Sequence, residues 1–442
     1  MKGMKTKRLL ATLLLLCLTL GLCACGDGAG DKSEASGTAT GFTFEKEKFK
    51  GKKLTFWSHW DMSDFLEVAQ EFMDQTGATI EAENVATYVN FSSKVSTAIL
   101  ADAGPDCFWM YPYTTPTWAK KGMIKPWDDI LDITAAPFAD KLSHPALDMF
   151  TVDGKHYGLY KSLETHVFVV YYNKGMFTAS GLEDPYALYQ KGEWTWDRFT
   201  EIAEQLCYDS DADGVIDTFA FDGSLGNIVQ GWLIANGANE VIWKDGIPKF
   251  GLTEPAAIEA LEMYFKVATT YAAPNAEGLS GETNFLNEKI AMWYEGSYNV
   301  GQYLDKLGGN LGIVPLPKGP KADAENRMAN RLNSVPFGIA NTCKEPELLA
   351  HFMEYYFWYE EPAEKKAEYE AKWGDNLAMR DFLDSMRDEG SIANAGSFGN
   401  LTSITNGRIY QSINSGAEPA TVVQAFANQA QSIIDEAMSA EE

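Results

Sequence analysis

Beyond residue 41 the chain runs for about 400 residues in which β-rich runs alternate with amphipathic stretches, and this alternation limits the fold most. One hydrophobic core stops growing at roughly 250 to 300 residues, so two lobes are expected. Residues 54–57 form a β-rich run that breaks at Ser58, His59 and Trp60. Phe65, Leu66, Val68, Ala69, Phe72 and Met73 then share one helical face, and Gly77 stands where a helix C-terminus favours left-handed backbone. A strand at 79–82, a helix through Val95, Ile99 and Leu100, and a strand at 107–110 after the Gly104-Pro105-Asp106 turn follow. This order predicts an α/β lobe with a mainly parallel sheet. Further along, 167–172 reads as a buried strand, and Thr195 can cap a helix carrying Trp196, Phe199, Ile202, Ala203 and Leu206. Pro255 opens another helix, 290–293 and 311–315 read as strands, and 348–356 and 422–437 as helices. The charged stretch 363–390 reads as a solvated pair of surface helices.

The first residues supply an address. Lys2, Lys5, Lys7 and Arg8 precede an apolar run from 9 to 22, too short for a comfortable span of about 20 residues, with the anatomy of a signal peptide. Leu22-Cys23-Ala24-Cys25-Gly26 resembles the lipobox of bacterial lipoproteins, which implies cleavage before Cys25 and a lipid on that cysteine. Residues 27–41 are rich in Gly, Ala, Ser and Thr and read as a flexible tether, which fully extended reaches roughly 50 Å. The expected location is the outer face of the cell membrane, with the lipid as the sole membrane contact.

Charge narrows the partners. The formal net charge is −26, and without the four basic leader residues 32 basic face 62 acidic side chains. Nucleic acid needs clustered Lys and Arg, so it is not an expected partner. Outside the leader, Cys107, Cys207 and Cys343 are widely spaced and odd in number, which suits buried small hydrophobes rather than a disulfide framework. A monomer is expected.

One loop has the spacing of a cation site. Asp209, Asp211, Asp213, Gly214 and Asp217 match the opening positions of a calcium loop, in which alternate carboxylates converge and the glycine permits the turn. The usual twelfth ligand is missing, since Ala220 stands there, and the ion expected is a structural Ca2+. No other cofactor is required. There is no HExxH, Walker loop or GxSxG motif, and the five histidines lack metal spacing. Aromatic residues make up 13% of the chain, and Trp60, Tyr111, Tyr113, Trp232 and Tyr298 stand where strands give way to loops. Ligands of open α/β sheets bind beyond the carboxyl ends of strands, where flat rings stack on sugars.

Six segments in order resemble the extracellular solute-binding proteins of ABC importers, the group that includes maltose-binding protein. They are 54–77, Gly104-Pro-Asp-Cys-Phe-Trp109, His156-Tyr-Gly-Leu159 with 170–174, Trp194-Thr-Trp-Asp-Arg-Phe199, 285–297 and Gly312-Ile-Val-Pro-Leu-Pro317. The resemblance implies a type II periplasmic-binding-protein-like fold, two α/β lobes joined by a multi-segment hinge and closing over solute. It implies lobes of 52–164 with 337–395 and of 165–336 with 396–442, after a leader (1–24) and a lipidated tether (25–41). It places solute contacts at His59, Trp60, Tyr111, Tyr113, Glu164, His166, Trp232, Tyr298, Arg331 and Asn333, with Phe398 and Asn400 near the last crossing. The residues that grip glucose units in maltose-binding protein are replaced, so a maltodextrin is not implied. The function implied is a lipid-anchored subunit delivering a sugar or oligosaccharide to a membrane permease, without enzyme activity. The alternatives are a surface-anchored carbohydrate-active enzyme, or a binding protein for a polyamine or peptide.

Overall fold

The computed structural model describes residues 38–39, 42–111, 114–245, 247–272, 281–322, 331–333, 335–387, 391–392, 398 and 400–439. The leader, Cys25, most of the tether and Tyr113 lie outside the described residues. In chain order the main strands are β1 (Lys53–Ser58), β2 (Thr79–Asn84), β3 (Cys107–Trp109), β4 (Ile124–Lys125), β5 (His166–Asn173), β6 (Phe219–Gly223), β7 (Ile290–Gly296), β8 (Leu311–Val314), β9 (Arg331–Asn333), β10 (Phe337–Ala340) and β11 (Ser391–Ile392). The helices used below are α1 (Ser63–Thr76), α2 (Tyr88–Leu100), α3 (Trp196–Leu206), α4 (Leu225–Ala235), α5 (Pro255–Thr270), α6 (Pro346–Trp358), α7 (Ala363–Trp373), α8 (Leu377–Ser385) and α9 (Pro419–Ser439).

The first lobe carries a five-stranded sheet in the order β2-β1-β3-β10-β4. β1 is parallel to β2 and β3, and β10 returns antiparallel between β3 and β4. The parallel sheet expected from the alternation is therefore mixed, because a strand arriving from 200 residues downstream enters in the opposite sense. Phe65, Ala69 and Phe72 of α1 pack with Phe56, Trp109 and Phe352 in one core. α1 stops at Gly77, whose φ of 73° is the left-handed backbone that glycine tolerates.

The second lobe is built around β5, buried along nearly its whole length. β7 runs antiparallel on one side of it, and β8 and then β9 occupy the other. β6 lies parallel outside β7, and β11 pairs with β9. Thr195 caps α3, its hydroxyl accepting from the Arg198 N–H at 3.4 Å. Both faces of the sheet are covered, one by α3, α4, α5 and α9, the other by Val300, Tyr303, Leu304 and Leu307 together with α7 and α8.

The boundary between lobes departs from expectation. Trp373, Met379, Leu383 and Met386 are buried against Val167, Val169 and Tyr171 of β5. The stretch 363–386 thus belongs to the second lobe, and the chain crosses after α6 rather than near 395. Its charged residues face outward, but spaced apolar residues give the pair a buried side that their charge density concealed. The first lobe also begins earlier, since Phe49 is part of its core and Phe42 and Phe44 pack on it. Cys107, Cys207 and Cys343 are unpaired. Among the described residues no helix is long and apolar enough to cross a membrane.

Candidate functional site

One wall of the site grows from the carboxyl ends of β1 and β3. The Ser58 hydroxyl donates to the Trp60 carbonyl at 2.7 Å and accepts the Trp60 N–H at 3.0 Å, a tight turn that holds His59 and Trp60 at the strand end. The Tyr111 hydroxyl lies 2.6 Å from Nδ1 and 2.9 Å from Nε2 of His59. Trp60 meets His59 edge-on at 4.4 Å and Trp109 at 5.3 Å. Burial pushes the His59 imidazole down to about 4, so near pH 7 it is neutral and offers one donor and one acceptor.

The first crossing supplies the floor. Glu164 ends a 3-10 turn (Ser162–Glu164), and its Oε1 accepts the Tyr356 hydroxyl at 2.6 Å. Burial raises the Glu164 carboxyl above its usual range, opposed by the Lys161 charge and the Tyr356 bond. The Lys161 ammonium sits 4.1 Å over the Tyr356 ring. Tyr356 packs on Phe65 at 5.8 Å, and Phe65 on Trp109 at 5.3 Å, so rings connect the crossing to Trp60. Two residues past Glu164, His166 opens β5, and burial with the nearby Arg387 charge pushes it down to about 4.

A second wall is the carboxyl end of β7 and β6. Glu295 is buried there; one carboxylate oxygen accepts the Ser224 hydroxyl, and Oε1 accepts the Tyr298 hydroxyl at 2.6 Å and the Gly296 N–H at 2.8 Å. Ser224 immediately precedes α4 and gives it no side-chain cap. With its hydroxyl tied, the half-exposed Tyr298 ring stands perpendicular to His166 at 5.2 Å and to Phe168 at 6.0 Å. Each wall therefore combines an aromatic face with a neutral imidazole and hydrogen-bond groups, the set that suits a polyhydroxylated ring.

Residues 57–357 match the family model described as bacterial extracellular solute-binding protein. The chain belongs to that family. Among its curated relatives is a maltotriose-binding protein of Pyrococcus abyssi (strain GE5 / Orsay), 23% identical over 229 residues, covering 52% of this chain and 45% of the relative. The chain thus matches about half the length of that relative. Two solved structures share its fold over nearly their whole length. An ABC substrate-binding protein from Listeria monocytogenes in complex with cycloalternan is 18% identical, with TM-score 0.66 over 88% of this chain and 99% of that one. UgpB from Mycobacterium tuberculosis in complex with glycerophosphocholine is 20% identical, with TM-score 0.66 over 88% of this chain and 100% of that one.

Within this solute-binding protein the expected contacts fall into three groups. His59, Trp60 and Tyr111 stand together on the first wall, Glu164 and His166 flank the crossing, and Tyr298 stands on the second wall. Arg331 and Asn333 lie on β9, their backbones paired with Phe168 and His166. Trp232 is a correction. It has no exposed surface and packs at 5.4 Å from Phe199 and 5.9 Å from Phe221, so no solute reaches its ring. It lies on the inner face of α4, about two turns into the helix that follows the β6 strand end. Phe398 lines a crevice of about 420 Å3 between the lobes, with Trp243, Met149 and Met438. Glu295, Ser224 and Tyr356 complete the site without having been singled out. The Glu295-Gly-Ser297 segment was visible in the sequence, but nothing local distinguished its acid from the others.

The Asp-rich loop lies on the surface between α3 and β6. Asp209, Asp211 and Asp217 each bring a carboxylate oxygen within 4.8 Å of the other two, which fits a hard cation. Asp213 is outside this group, and its Oδ1 accepts the Val215 N–H at 2.8 Å. The Gly214 and Ala212 N–H groups donate to Asp209 at 2.7 Å each, and Gly214 takes a φ of 93°. Those bonds, the Gly214 bond foremost, hold the Asp209 carboxyl below its ordinary value.

Proposed function

We propose that this protein is the solute-binding subunit of an ABC importer, held outside the cell by a lipid on Cys25, and that its cargo is a sugar or oligosaccharide. The observation that carries the sugar assignment is the pairing, on both walls, of aromatic rings with hydrogen-bond groups. Trp60 and Tyr298 present the faces, while His59, Tyr111, His166 and Glu295 offer hydroxyl partners. Family membership supports binding over catalysis, and the Listeria and Pyrococcus relatives, whose names carry cycloalternan and maltotriose, support a carbohydrate. Contacts from both walls stabilise a closed form, which a permease then recognises; hinge closure of this kind is the expected motion of such folds. The role of the Asp-rich loop is structural. Calcium between Asp209, Asp211 and Asp217 would relieve repulsion among three carboxylates and stiffen the loop.

A thermal-shift screen of sugars, oligosaccharides, polyamines and peptides tests the cargo. Carbohydrate stabilisation near 2.7 kcal/mol is expected at about 100 times the dissociation constant. A midpoint that moves only with polyamine or peptide overturns the sugar assignment. Hydrolysis of a glycan by the purified protein would overturn the binding-subunit reading.

A further inference from the structure

The earliest described residues, Thr38 and Ala39, form a two-residue antiparallel ladder with Glu360 and Tyr359. So short a ladder adds little stability, but its location gives it leverage. α6 places Leu349, Phe352, Tyr355 and Phe357 in the core of the first lobe, while Trp373 at the end of α7 is buried in the second. The four residues 359–362 between these helices are where the chain passes from one lobe to the other. The segment that follows the ladder is fastened to the first lobe. Phe42 lies 4.7 Å from His351, 5.5 Å from Tyr355 and 6.4 Å from Phe72, and Phe44 lies 5.5 Å from Tyr355. Lys48 pairs with Glu347 of α6 at 3.0 Å. Glu360 itself reaches both ways, to Lys141 of the first lobe at 3.8 Å and to Lys366 of α7 at 3.1 Å.

A hinge works by changing φ and ψ at a few positions, and a strand paired to those positions restrains the change. We infer that the arm, in which 38–39 pair with the crossing and 42–50 are fastened to the first lobe, is a working part of the hinge. By pairing with Tyr359 and Glu360 it holds this crossing in one backbone conformation and sets the resting separation of the lobes. Anything that restrains the chain upstream of residue 38, a lipid on Cys25 included, then acts at the hinge rather than at an inert surface. The inference rests on the reading that the lobes move to take up solute, and it is independent of which solute.

The test uses the mature chain carrying T38P/A39P. Hydrogen-bonded and non-bonded pairs alternate along an antiparallel ladder, so replacing both positions removes a ladder N–H whichever pair is bonded. Two readouts are taken without solute: hydrogen exchange of peptides covering 359–362, and the distance between spin labels at Leu100 and Leu377 in a Cys207→Ser background. Both label sites are exposed, one in each lobe. The expected result is exchange at 359–362 raised about tenfold, with a shifted or broadened distance distribution. F42A, which loosens the arm while leaving the ladder residues intact, moves both readouts the same way. Unchanged exchange overturns the inference, and so does faster exchange with an unchanged distance. Faster exchange spreading through α1 and α6 also overturns it, since the arm would then belong to the first-lobe core. A solute screen that finds no ligand bears on the proposed function alone.

Discussion

Burial holds both His59 and His166 neutral, with values near 4 against an ordinary 6.5. The unfolded chain therefore binds more protons than the folded one as pH falls below 6.5, and stability is lost progressively down to about 4. Glu164, raised by burial, works in the opposite sense, favouring the folded state at low pH and losing that contribution as pH rises through its folded value. Thermal midpoints recorded from pH 7 to pH 4.5 should fall, and H166Q should flatten the fall. An equal slope in wild type and H166Q would show that His166 is protonated as readily folded as unfolded. Glu295 is the other test at a single side chain, because it accepts from Ser224, Tyr298 and the Gly296 N–H at once. Hydrogen bonds to a charged group contribute about 1.5 to 3 kcal/mol to stability, so E295Q should lower the melting temperature and, by releasing Tyr298, also weaken solute binding about tenfold or more. Trp232→Ala should affect stability alone. It opens a cavity in the second-lobe core and costs about 3 to 5 kcal/mol of stability, with binding retained by the protein that remains folded.

Strands and helices were legible where one period dominates. β1, α1 and β2 fall within a residue or two of the expected positions, and α2 carries Val95, Ile99 and Leu100 as expected, because alternation and the 3.6-residue stripe are local properties. What the sequence hid was pairing. The 167–172 run reads as a buried strand, but its partners arrive from 290, 311 and 331, and no local signal joins them. Trp232 and Tyr298 looked alike as aromatics near strand ends, and only the direction of α4 separates core from site. Two predictions belong at this level. On β8, a Cβ at Gly312 would enter the Tyr172 ring on the neighbouring strand. G312A should therefore destabilise the second lobe by about 1 to 3 kcal/mol, measured by denaturant unfolding; an unchanged midpoint would mean the two strands part easily. In the Asp-rich loop, D209N/D211N should lower the melting temperature only when calcium is present. Equal melting of the wild type in calcium and in chelator would rule out a structural ion there.

The two sheets, each ending in a wall of rings and hydrogen-bond groups, make sense as one machine. The first crossing, at Glu164 and His166, puts the floor of the site at the pivot, so closing the lobes and completing the contacts are a single movement. On the proposed function, a solute held by Trp60, His59 and Tyr111 on one side and by Tyr298 and Glu295 on the other would stabilise a closed form by its differential contacts alone. The most direct measurement of this account is small-angle scattering of the purified protein without residues 1–24, before and after addition of the carbohydrate that gives the largest thermal shift. The account predicts a smaller radius of gyration with solute in wild type, and little or no change in E295Q at the same solute concentration. A bound sugar that leaves the wild-type radius unchanged would contradict it.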